Sequence, residues 1–168
     1  MSDFRPGGFS VLPTVVKNLL IINILFFLAT IAFDTVLRID LTDYLGLHYI
    51  GASDFQPFQL VTYMFMHGNF AHLFFNMFAL WMFGNTLENI WGPKRFLLFY
   101  FICVIGAGLT QELVQYIQYV TTLEGYENVR ISANHIIPMS QYLNMLTTVG
   151  ASGAVYGILL AFGMMFPN

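Results

Sequence analysis

One serine, one histidine and one asparagine are the residues in this chain best suited to chemistry. Ser152 lies in TTVGASGAVYG (residues 147 to 157), between Gly150 and Gly153, where polar sequence gives way to an apolar run. A serine attacks a carbonyl only if a second group takes its proton and donors stabilise the oxyanion that forms. Flanking glycines let a foreign backbone approach, and a serine that opens a helix keeps its own N–H free to donate. His72 and Asn76 supply further donors from HGNFAHLFFNMFALWMFGNTLENIWG (residues 67 to 92). Four residues apart, they share one face of a helix and can aim N–H groups at a common point. Polar side chains inside a span rich in Phe, Leu and Met are expensive unless partnered or wet, which makes the pair a functional candidate.

Plainer uses exist for each of these residues. Gly153, Gly157 and Ala161 recur every four residues, a row that lets a second helix backbone come close, and Ser152 then serves as a cap or small packing residue. Ser152 and Tyr156 form the neighbouring row, with Tyr156 one turn below the serine. His72 and Asn76 equally suit hydrogen bonds between helices. A metal held by His67 and His72 lacks a third well-spaced ligand.

The elements that must position these residues follow from composition. Hydrophobic residues make up 57% of the 168 and charged residues 9%, against about 25% charge in soluble domains, so the chain is expected to be an integral membrane protein in contact with a lipid bilayer. A net charge of -3 and scattered Lys and Arg leave no patch for nucleic acid, and the single Cys103 excludes an intrachain disulfide. The expected fold is all-α: a polytopic helical bundle, one membrane domain over 1–168, with four transmembrane helices at about 15–36, 70–90, 96–118 and 148–166. Gly92-Pro93-Lys94-Arg95 is expected to turn the chain between the second and third spans. Segments 37–57 and 121–145 are expected as loops on the outer side. Arg5, Lys17, Lys94 and Arg95 outnumber Arg38 and Arg130, which puts the N-terminus and Asn168 in the cytoplasm. Gln111, Glu112, Gln115 and Gln118 end the third span, as a polar helix end or as the lining of a water path. The fourth span, from Ser152 to Phe166, reaches about 22 Å, short of a roughly 30 Å hydrocarbon core, so Ser152 is expected below the outer surface.

Taken together, His67, His72 and Asn76 as H-x4-H-x3-N, Phe83-Gly84, Glu88, Trp91-Gly92, and Gly150-Ala151-Ser152-Gly153 as G-x-S-G resemble the rhomboid family of intramembrane serine proteases over roughly residues 58 to 165. The resemblance implies an endopeptidase that cleaves transmembrane segments of other membrane proteins, in a bacterial cell membrane, without metal or cofactor. It implies Ser152 as nucleophile, with His72, Asn76 and the Ser152 amide as the oxyanion hole and Gly150 and Gly153 shaping the nucleophile loop. His67, Tyr156 and Glu88 are expected to be structural, Glu88 through a contact near Arg95 at the cytoplasmic end and Tyr156 packed against the general base. Two features depart from the family. The Trp-Arg pair common in the first outer loop of bacterial relatives is missing from RIDLTDYLGLHYIGASDFQP. The family's general base is a histidine on a sixth span, and neither His48 nor His135 has that helical setting, so the chain is expected to be the N-terminal part of such a protease and silent alone. The alternative is an inactive rhomboid-like protein that binds transmembrane helices. A channel or transporter would need more intramembrane carboxylates than Glu112.

Overall fold

The computed structural model describes residues 10–167; Arg5 and Asn168, used in the charge and topology reasoning, lie outside them. Helix α1 (Thr14–Ala32) runs into a π-type turn at Phe33–Leu37. The first loop then holds α2 (Leu41–Leu45), β1 (Leu47–His48) and α3 (Gln59–Thr62), which ends in a 3-10 turn at Tyr63–Phe65. Asn69 caps α4 (Phe70–Ala79) by accepting the His72 N–H at 2.8 Å, which fixes His72 in the first turn. A π-type turn at Leu80–Gly84 joins α4 to α5 (Asn85–Trp91) as one unbroken helical segment. Helix α6 (Pro93–Gln118) and its π-type turn Tyr119–Leu123 return to the loop end. There follow β2 (Asn128–Ser132), β3 (His135–Pro138), α7 (Met139–Met145), β4 (Thr147–Thr148) and α8 (Ser152–Met165).

The four long helical segments alternate in direction and close on Val16, Leu19, Leu80, Phe96, Tyr100, Val104, Ala154 and Ile158, all under 5% exposed. Their other faces carry large apolar residues outward, among them Leu25, Leu28, Phe74, Phe75, Leu98, Ile102, Leu109, Leu160 and Met164. Two segments, Thr14–Leu37 and Pro93–Leu123, are long and apolar enough to cross a membrane, and only 11% and 22% of their apolar windows is buried. A core helix of a soluble domain would be buried throughout. Phe70–Trp91 is long enough but diluted by His72, Asn76, Asn85, Glu88 and Asn89, and α8 is apolar but only 14 residues long.

The small row of α8 packs on α6: a Cβ on Gly153 would collide with that of Ala107, and one on Gly157 with the Cys103 sulfur. Backbones approach there because neither helix presents bulk.

Three details add to the expected fold. The chain is mostly helical, with two short antiparallel pairs beside the helices, β1 with β4 and β2 with β3. Segment 121–145 is a hairpin followed by α7; its polar composition masked the strand pattern of N-V-R-I-S and H-I-I-P around a two-residue turn. The turn between the second and third long segments is confined to Gly92, at φ 81°, because Pro93 occupies the first position of α6, where a missing N–H is harmless.

Candidate active site

The nucleophile loop is built by pairing between distant segments. β4 is held by β1, with His48 opposite Thr147 and Leu47 opposite Thr148, and the Tyr49 N–H donates to the Leu146 carbonyl at 3.2 Å. The Gly150 N–H then donates to the Tyr63 carbonyl at 2.9 Å, while the Tyr63 hydroxyl donates to the Val104 carbonyl of α6 at 2.7 Å. The connector before α4 and the loop before α8 are thereby fixed to one another.

Gly150 has φ 109°, a conformation that side chains strain to adopt, and a Cβ there would fall 2.6 Å from the His72 ring. Glycine is required both for the turn and for the contact that brings His72 against the loop. Ser152 opens α8, so its N–H has no acceptor in the preceding turn. Ser152, His72 and Asn76 line one cleft of about 320 Å³ between α4 and α8, with Phe75, Val155 and Leu159 as its apolar walls. Asn76, 5% exposed, spends one N–H on the His72 carbonyl at 2.9 Å, and its second N–H is left over. The cleft thus combines a hydroxyl, an imidazole, an amide and a helix N-terminus in an otherwise apolar wall. That is suited to holding a carbonyl and stabilising negative charge on its oxygen.

His67 is buried behind this cleft, its ring edge-on to His72 with centroids 5.1 Å apart and Nδ1 3.3 Å from the Phe65 carbonyl. Burial, with the neighbouring His72 adding to it, pushes the His67 imidazole down to about 4, so it is neutral near pH 7. Tyr156 is not packed in the bundle; it is 72% exposed and stands at the mouth of the cleft, because the face it shares with Ser152 is the open one.

Glu88 is buried, and its polar contact is with the start of α1. Its two carboxylate oxygens accept the N–H groups of Val15 and Val16 at 2.9 and 2.8 Å, so it caps α1 from a distance of more than seventy residues, while Arg95 is exposed. Glu112 and Gln115 are buried too, and Glu112 accepts the Ile50 N–H at 2.7 Å, which ties α6 to the first loop.

His48 is buried in the joint between the loops and His135 is exposed on the hairpin; neither lines the serine cleft, where His72 is the imidazole. A larger cleft of about 920 Å³ lies among α2, α3 and α7, lined by Asp43, His48, Asp54, Gln59 and Asn144, without Ser152. Among the described residues no three His, Cys, Asp or Glu side chains converge as metal ligands. The buried pair His48 and Gln59 carries the joint between the loops. Neither role is legible in the sequence, because their partners are mostly backbone N–H and carbonyl groups that leave no mark on residue type.

Such a molecule, a helical bundle with apolar outer faces and a polar cleft bearing a serine at a helix start, defines a class of membrane proteins. The Rhomboid domain model matches residues 54–168, and the chain belongs to the rhomboid family of intramembrane proteases. It is similar to the putative rhomboid protease YdcA of Bacillus subtilis, 28% identical over 71% of this chain and 47% of that protein. Rhomboid protease GluP of the same organism is 31% identical over 60% of this chain and 14% of its own length. Rhomboid protease AarA of Providencia stuartii is 34% identical over 58% of this chain and 30% of its own. The chain therefore spans less than half the length of these relatives.

Proposed function

We propose that the protein is an intramembrane serine endopeptidase that cuts transmembrane segments of other membrane proteins. The observation that carries this reading is the cleft shared by Ser152, His72 and Asn76, with Gly150 shaped to admit the His72 ring. In the proposed reaction the Ser152 oxygen bonds to the scissile carbonyl carbon and its proton passes to a base. The oxyanion is held by the Ser152 N–H, the His72 ring and the Asn76 amide. Collapse breaks the C–N bond, the base returns the proton to the leaving amine, and water repeats the sequence on the acyl-serine. The base is assigned to the histidine that the family carries on a later span. His48, His67 and His135 all lie outside the cleft lining.

The proposed setting is a bacterial cell membrane crossed four times, with the N-terminus in the cytoplasm and both loops outward. Lys17, Lys94 and Arg95 cluster at one end of the bundle and Arg38 and Arg130 at the other. Reporter fusions at Arg95 should read cytoplasm and fusions at Asn128 the outer side; an outward Arg95 overturns the arrangement.

The catalytic reading is tested with the full-length natural protein in lipid. A fluorophosphonate probe should label Ser152 and a transmembrane model substrate should be cut, and Ser152→Ala should lose both. Cleavage that survives in Ser152→Ala overturns it. A second reading is an inactive relative that binds transmembrane helices. It predicts substrate binding without cleavage.

A further inference from the structure

The strand that delivers the nucleophile loop is too short to hold itself. β1 and β4 pair through two residues each, and an isolated two-stranded pairing is marginal in water even when longer. What surrounds the pair is a polar knot centred on His48, which is 2% exposed. Its Nδ1 lies 2.9 Å from the Asn144 carbonyl, at the end of α7, and its Nε2 lies 2.9 Å from the Asp43 carbonyl, in α2. Both partners are backbone oxygens, which only accept, and a neutral imidazole donates from one nitrogen alone. Both bonds exist together only when the ring carries two protons. We propose that His48 is a positioning residue: as an imidazolium it staples the first loop to the strand leading into Ser152.

The two sides of the staple differ. On the first-loop side Gln59, 1% exposed, fixes the frame whatever the charge on His48. Its Oε1 accepts the N–H groups of His48 and Gln56 at 3.3 and 3.0 Å, and its Nε2 donates to the Tyr44 and Asp54 carbonyls at 3.2 and 3.1 Å. On the other side the Asn144 carbonyl depends on the Nδ1 proton. When that proton leaves, two lone pairs face each other and the Thr147 hydroxyl, 3.2 Å from Nδ1, becomes the donor in its place. The neutral ring thus has its own arrangement, in which the end of α7 loses this bond and is held to the first loop by the Asn144 amide on the Ser53 hydroxyl and the Tyr49 N–H on the Leu146 carbonyl. The titratable groups around His48 come from several elements. Asp43, Tyr44 and Asp54 of the first loop line the same cleft, α3, α7 and β4 present neutral Gln59, Gln141, Asn144 and Thr147, and Glu112 of α6 holds Ile50 two residues on. Two charge-assisted hydrogen bonds to backbone carbonyls offset the burial of the cation.

Three residues separate β4 from Ser152, so loosening β4 loosens the serine; that link rests on the catalytic reading above, whereas the staple does not. The test uses the full-length protein in bilayers with ring-¹⁵N histidine, the His48 signals being those missing from His48→Gln. At low pH both His48 nitrogens should be protonated. Amide-exchange protection at Thr147 and Thr148, corrected for intrinsic rates, should fall as pH rises, with the midpoint of the His48 titration. Thr147→Val removes the donor to the neutral ring, so it should move that midpoint to higher pH while the protein folds normally. His48→Gln should lower kcat by up to about 10²-fold through misplacement of the serine, with KM little changed. A single neutral tautomer at a pH where β4 is protected, or protection independent of the His48 titration, overturns the staple. An unchanged kcat in His48→Gln overturns the positioning role. Failure of the probe to label Ser152 while the staple signals persist overturns the catalytic reading instead.

Discussion

The two ends of the bundle both bury polar side chains among apolar helices, and they use them in opposite ways. At the end that carries the start of α1, Glu88, Asn85 and Asn89 have fixed partners. Glu88 takes two α1 N–H groups, the Asn85 amide donates to the Val11 carbonyl at 2.8 Å, and Asn89 donates to the Ser10 carbonyl at 2.9 Å while accepting the Ser10 N–H. At the other end His72 and Ser152 line an open cleft, and Asn76 keeps one N–H in reserve. Satisfied groups hold a structure; groups that face a cleft with unused donors are available to a ligand. An intramembrane polar residue is thus informative about function only together with where its hydrogen bonds go.

The sharpest way to break this contrast is at the serine. Ser152→Ala in the full-length protein should abolish fluorophosphonate labelling and substrate cleavage with an unchanged melting temperature in detergent. Next come the oxyanion donors. His72→Ala and Asn76→Ala should each lower kcat by about 10²–10³, or roughly 3–4 kcal/mol, with folding retained. Unchanged turnover in both would move these residues to the structural side of the comparison.

Glu88 should behave in reverse. Glu88→Ala orphans two N–H groups of α1 and should cost about 3 kcal/mol of stability, while the fraction that remains folded keeps its kcat. A loss of kcat without a loss of stability would contradict its assignment as a cap. Gly157→Leu drives a branched side chain into Cys103 and should cost about 1–3 kcal/mol in thermal or denaturant unfolding, whereas Gly163→Leu, where a Cβ meets nothing, should cost far less.

The smallest effect expected is a pH dependence from His67. Its folded value lies near 4 and its unfolded value near 6.5, so the unfolded chain binds the extra proton between them. Stability from this residue is full above about pH 6.5 and is lost as pH falls toward 4. His67→Gln should flatten that acid limb.

The membrane class, the positions of the long helices and the serine, histidine and asparagine of the cleft were legible in the sequence. Each depends on local regularities: apolar runs of bilayer length, a four-residue spacing that puts His72 and Asn76 on one face, and a glycine-flanked serine at a helix start. The small row of α8 was legible for the same reason, though not its partner row of Ala107 and Cys103. Tertiary structure alone decided what Glu88, Glu112, His48 and Gln59 do. Their partners are backbone N–H and carbonyl groups, in most cases ten to nearly a hundred residues away, which every residue type carries alike. It also decided that β1 and β4 meet, since strands of two residues have no period to read. A sequence shows which groups can make hydrogen bonds, and only the folded chain shows which remain free to make them with something else.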